Sequence, residues 1–242
     1  MNATVARLTV RSLLGRRRAL VLLALPAILL LLCGATRLLA GGDERLGVAL
    51  LGGFGLGTVV PLLALIAGTG AIGPEIDDGS IVYLLSKPLS RPSIVHSKLA
   101  VASATVVALS AVPVLVAGLV LTGTADRLAV GYALAAAVAG VTYCAVFLLL
   151  AVLTRNAVVI GLLYALIWES VIGGYVPGAQ ALSVQQWSLT LAEKVVGARA
   201  AELGVTPAVG IGTAVPLLLV VLVGCTWYAG RRLRVLRLAG DA

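Results

Sequence analysis

Polar residues in this chain are confined to short stretches between long, unalternating runs of Leu, Ala, Val, Gly and Ile. Six runs come close to the roughly 20 residues needed to cross a hydrocarbon core about 30 Å thick. They are Ala19 to Leu39, Gly47 to Ile72, Leu99 to Leu121, Leu128 to Leu153, Ala157 to Val176 and Val205 to Ala229. Inside a bilayer the backbone finds no water, so its N–H and C=O groups must pair within a helix or around a closed barrel. Barrel strands would alternate apolar and polar positions, and these runs do not. The pattern predicts an all-α membrane protein with six transmembrane helices, forming a single membrane domain over residues 1–242. Glu169 and Gly173-Gly174 fall inside the fifth run, where re-entry or an early exit stays open.

Composition agrees with a membrane protein. Sixty per cent of the residues are hydrophobic and 12% charged, and the mean hydropathy is +1.10, which excludes an ordinary soluble domain. The net charge is +8. If both termini are cytoplasmic, Arg7, Arg11, Arg16, Arg17, Arg18, Lys87, Arg91, Lys98, Arg155, Arg231, Arg232, Arg234 and Arg237 all lie inside. Arg37, Arg45, Arg127, Lys194 and Arg199 lie outside, nearly balanced by Asp43, Glu44, Asp126, Glu193 and Glu202. This is the asymmetry of the positive-inside rule, so the charge is topological and implies no nucleic-acid partner. Arginine far outnumbers lysine, and Ala, Gly, Val and Leu abound, a composition of high-GC bacteria; the expected location is a bacterial cytoplasmic membrane. Arg16-Arg17-Arg18 before an apolar run ending at Cys33 imitates a secretory signal, but Leu32 suits no lipoprotein cleavage site. Arg7 and Arg11, interleaved with Val5, Leu8 and Leu13, instead predict an uncleaved amphipathic elbow helix lying in the interface.

Several chemistries lack the residues they need. Cys33, Cys144 and Cys225 sit singly in three separate spans, where they act as small apolar residues. His96 is the only histidine, so no usual metal site can be assembled. None of Lys87, Lys98 and Lys194 follows a glycine, as a phosphate-binding G-x-x-x-x-G-K-[ST] loop requires, so the chain is no P-loop ATPase. The second span is dense in glycine. Its Gly53 and Gly57 have the small-xxx-small spacing of close helix contacts, within the monomer or at a dimer or substrate path.

The one long charged interruption runs from Glu75 to Lys98. Gly73-Pro74 suits a break at the end of the second span, with proline in the first turn of a new short helix. Glu75, Asp77 and Asp78 then face the positive end of its dipole. Ile81, Leu84 and Leu85 give it an apolar face, and Lys87-Pro88 ends it. Over about 25 residues this loop resembles the first cytoplasmic loop of ABC-2 type permeases. The positions that carry the resemblance are Glu75, Gly79, Ser80, Ile81, Leu84, Leu85, Ser86, Pro88, Leu89, Ser90, Arg91 and Lys98.

The resemblance implies a six-helix permease that pairs with a second permease copy or paralogue and with two copies of a separate cytoplasmic P-loop ATPase. That partner would bind ATP and magnesium; this chain would bind no cofactor. Glu75, Asp78, Gly79, Ser80, Ile81, Leu84 and Leu85 would form a coupling helix docked on the ATPase, with Ser86, Pro88, Ser90, Arg91 and Lys98 completing the loop motif. Arg16 to Arg18 and the Thr154-Arg155-Asn156 turn would be secondary contacts.

Glu169 is the only carboxylate inside a predicted span. It lies about 20 Å up the fifth helix, level with Thr142 and Tyr143 of the antiparallel fourth. It is either a polar contact in a substrate path or a packing hydrogen bond, with Thr142 or Tyr143 as the expected partner. The segment from Gly173 to Val205 reads as short amphipathic helices at the outer interface, anchored by Trp187. The sequence thus supports the membrane subunit of an ATP-driven exporter. A secondary, ion-coupled carrier and a non-transporting membrane scaffold remain as alternatives.

Overall fold

The computed structural model describes residues 8–10, 15–41, 44–77, 91–122, 127–173, 176 and 178–235. Among the described residues there are helices and turns but no strand. We label the helices α1 (Arg16–Ala40), α2, α3 (Arg91–Thr122), α4 (Leu128–Leu153), α5, α6 (Val184–Val196) and α7 (Ile211–Val235). Helix α2 is α-helical over Glu44–Ala49, π-helical over Leu50–Val59 and α-helical again over Val60–Asp77. Helix α5 is α-helical over Ala157–Leu163 and π-helical over Tyr164–Ile172.

Five helices are long and apolar enough to cross a membrane, with cores of Arg18–Leu39, Arg45–Ile76, Ser93–Thr122, Leu128–Leu153 and Ile211–Leu233. The sixth expected span is shorter. α5 ends at Ile172 rather than Val176 and covers Ala157–Ile172, about 24 Å at 1.5 Å per residue against a core of about 30 Å. The last span also begins later than its hydropathy suggests, because residues 205–210 are irregular and α7 starts at Ile211. Of the expected elbow, residues 8–10 are helical; residues 1–7 and 11–14 lie outside the described residues.

Helix α4 is the axis of the bundle, packing on α2, α3, α5, α6 and α7. It can do so because small residues, Ala135, Ala136, Ala139 and Gly140, bring its neighbours close to the backbone. Two glycines let neighbouring helix backbones come close. A Cβ on Gly118 of α3 would lie 2.7 Å from Ala129 Cα, and one on Gly68 of α2 would lie 3.0 Å from the Cys144 carbonyl oxygen. The sequence placed weight on Gly53, but a Cβ there would meet nothing within 4 Å. At Gly57, by contrast, a Cβ would lie 2.9 Å from the side-chain nitrogen of Gln185 and would displace that amide.

Gly118→Val should therefore force α3 and α4 apart and lower stability by about 1–3 kcal/mol, the usual range for overpacking. Gly34→Ala, on open α1 surface, should be neutral or slightly stabilising. Thermal midpoints of the two purified variants in the same detergent check the contrast.

Candidate functional site: two polar anchors at opposite ends of the bundle

Helix α2 does not break at Gly73-Pro74, as its sequence suggests. It carries Pro74 inside the helix and continues to Asp77. A proline at this position leaves the Gly70 carbonyl without its usual N–H partner and crowds it. The same turn is secured from outside by Lys98 on α3. Its ammonium donates to the Ala71 carbonyl at 2.6 Å and to Glu75 Oε1 at 2.7 Å. Lys98 is 0% exposed, whereas the Glu75 side chain is 28% exposed. Glu75 Oε2 is buried and has no hydrogen-bond partner.

This ion pair closes the two helix ends from which the charged loop emerges. Of the predicted loop residues, Asp78, Gly79, Ser80, Ile81, Leu84, Leu85, Ser86, Pro88 and Ser90 lie outside the described residues. Arg91 opens α3. Glu75 and Lys98, 23 positions apart, are the two ends of the motif that the fold brings together.

The same end of the bundle collects other basic groups. Arg18 at the start of α1, Pro74 in α2 and Arg155 in the α4–α5 turn line a common cavity. His96 at the start of α3 and Trp227 near the end of α7 line another. The Arg231 guanidinium sits 4.8 Å from the centre of the Trp227 ring.

At the opposite end, Glu169 is 0% exposed. Its Oε1 accepts from the Tyr164 hydroxyl at 2.8 Å and from the Val184 N–H at 3.1 Å. Its Oε2 accepts from the Ser183 hydroxyl at 2.5 Å and from the Gln185 N–H at 3.4 Å. Ser183 is the N-cap of α6, and its oxygen in turn accepts from the Gln186 N–H. The carboxylate thus caps a 13-residue helix, accepting from N–H groups that have no partner within it.

Of the two expected partners, Tyr143 lies beside the carboxylate and Thr142 bonds elsewhere. Thr142 donates to Val138 within its own helix. Tyr143 is fully buried, stacks on Phe147 and sits against the Glu169 carboxylate, although its hydroxyl makes no hydrogen bond of good geometry.

The π-helical segments of α2 and α5 face this knot. Ser170 donates to the Gly57 carbonyl at 2.9 Å, and the Gln185 amide donates to the Gly52 carbonyl at 2.8 Å. Wider i→i+5 turns recur at functional sites. Here both are pinned by side chains that a sequence scan for ionisable residues passes over. Helix α6 itself buries Gln185, Gln186, Ser188 and Thr190, so it is packed into the bundle rather than lying along its surface. Trp187, expected as an interfacial anchor, is 5% exposed and donates to the Ala181 carbonyl.

Residues 16–195 match the family model described as ABC-2 family transporter protein, a stretch that includes α1 to α6 and both polar anchors. No curated protein matches the chain.

Glu169→Leu removes the acceptor for two hydroxyls and two backbone N–H groups at once. It should cost at least about 3 kcal/mol, since each buried donor left unpaired costs roughly 1–3 kcal/mol. Ser183→Ala should cost about 1 kcal/mol, as helix-cap losses do. Denaturation midpoints in detergent should rank wild type above Ser183→Ala and Ser183→Ala above Glu169→Leu.

Proposed function

Because the chain belongs to the ABC-2 transporter family, we propose that it is the transmembrane permease subunit of an ATP-driven exporter. The observation that carries this reading is the family match over residues 16–195, which includes the charged loop and the Lys98–Glu75 pair at its root. The chain supplies the path. Hydrolysis belongs to a separate cytoplasmic P-loop ATPase, which binds ATP and magnesium, in an assembly of two permease copies and two ATPase copies.

The basic end of the bundle faces the cytoplasm by the positive-inside rule. There the loop between α2 and α3 presents a coupling helix to the ATPase. Because Lys98 ties the end of α2 to α3, a push on the loop moves both helices together, and α4 receives it from both. Helix α5, continued by the capped α6 segment, completes a sixth crossing. In this reading Glu169 acts as a structural cap rather than a contact for the transported molecule, since its oxygens are already occupied and closed off from solvent.

The experiment is a mild-detergent purification of the tagged chain from its native membrane. A P-loop subunit should accompany it near one to one and hydrolyse ATP. Glu75→Lys places two cations together beside Lys98, and Gly79→Trp enlarges the docking loop. Both should insert normally yet uncouple hydrolysis from transport. A chain recovered alone and without ATPase activity, with no partner on crosslinking in the membrane, would move the assignment to an ion-coupled carrier or a scaffold.

A further inference from the structure

A cavity of about 530 Å³ opens at the basic end, between α1, the end of α2 and the α4–α5 turn. Its polar lining is cationic. Arg18 and Arg155 both contribute and are both exposed, and neither has a carboxylate partner among the described residues. Thr154 lines it too; its oxygen accepts from the Asn156 N–H, which leaves the hydroxyl hydrogen free to donate. Thr69 adds only an acceptor, since its own hydrogen is given to the Leu65 carbonyl. Glu75, next in the chain to Pro74 of the lining, is neutralised by Lys98. Leu65, Ile66 and Val158 make the rest of the wall apolar.

Two guanidiniums and a hydroxyl donor at helix ends, above an apolar wall, match an anionic amphiphile with its charge at headgroup depth and its chain in the hydrocarbon. We propose that this cavity binds the phosphate headgroup of an anionic lipid from the leaflet at the basic end of the bundle. The apolar wall favours a lipid over soluble phosphate, which would gain nothing from Leu65 and Val158. The same wall argues against pure protein docking, which needs no cavity between helices. The site stands whether or not the chain transports, because it rests on the cavity alone.

The test uses the full chain, purified in neutral detergent with any partner it retains. Native mass spectrometry then compares retention of phosphatidylglycerol with that of phosphatidylcholine. Wild type should prefer phosphatidylglycerol clearly. Arg18→Gln/Arg155→Gln should weaken that preference roughly fivefold per arginine, as expected for basic groups at a membrane surface, while the double lysine variant keeps most of it. If the double variant does not elute as folded protein, Arg155→Gln alone, on an exposed turn, should show the fivefold loss.

Three results would overturn the proposal. The first is an unchanged preference in the folded glutamine variant. The second is displacement of the lipid by inorganic phosphate but not by chloride at equal ionic strength, which would make the occupant soluble phosphate. The third is loss of a co-purifying ATPase with lipid preference intact, which would make the arginines protein contacts.

Discussion

Glu169 is closed off from solvent, and the described residues offer no cation to balance it. Its oxygens must therefore be held by hydrogen-bond donors, and meeting that requirement fixes where three elements lie. Helix α6 has to begin beside it, because Ser183 and the first N–H groups of α6 are its donors. Helix α5 has to turn so that Tyr164 meets the same carboxylate. Helix α2 has to come close enough, at Gly52 and Gly57, for Gln185 and Ser170 to find carbonyl acceptors. In hydrocarbon an unpaired polar group costs several kcal/mol, so the knot is kept whole or the end of the bundle opens.

The other end is held differently. There a full charge, on Lys98, is buried against a carboxylate and a helix carbonyl. Removing one partner of such a pair costs about 3–5 kcal/mol, tempered here because Glu75 is partly exposed. One end of the bundle is thus locked by a neutral-donor network and the other by an ion pair at the root of a charged loop. In the proposed permease this difference has a use. The ion pair joins the two helices that receive the partner's push, while the Glu169 knot keeps the far end rigid until the bundle moves as a body.

The apolar runs alone revealed the helical class and most of the spans, because periodicity and length in a membrane are set by the bilayer rather than by neighbours. Boundaries were less legible where tertiary partners decide them. Gly73-Pro74 carries every local sign of a break, yet the helix continues because Lys98 supports the turn from another element. Glu169 was legible as a residue that needs a partner, and its depth along an ideal helix placed it beside Tyr143, but not beside its donors Tyr164, Ser183 and the start of α6. A local signal that could have found the start of α6 is the Ser183-x-x-Gln186 spacing of a capping box, in which Ser183 accepts from the Gln186 N–H. The Glu75 and Lys98 ends of the loop were both singled out by the motif, though nothing in the sequence says that they touch.

The central claim is that the Lys98–Glu75 pair carries partner-driven motion from the loop into the bundle. Hydrogen exchange on the assembled complex, with and without ATP and vanadate, tests it most directly. The account predicts nucleotide-dependent changes in the ends of α2 and α3 in the wild type. In Lys98→Met, α3 should lose its response while the partner stays bound. An equal response of α3 in both proteins would contradict the claim and leave the ion pair as a packing feature only.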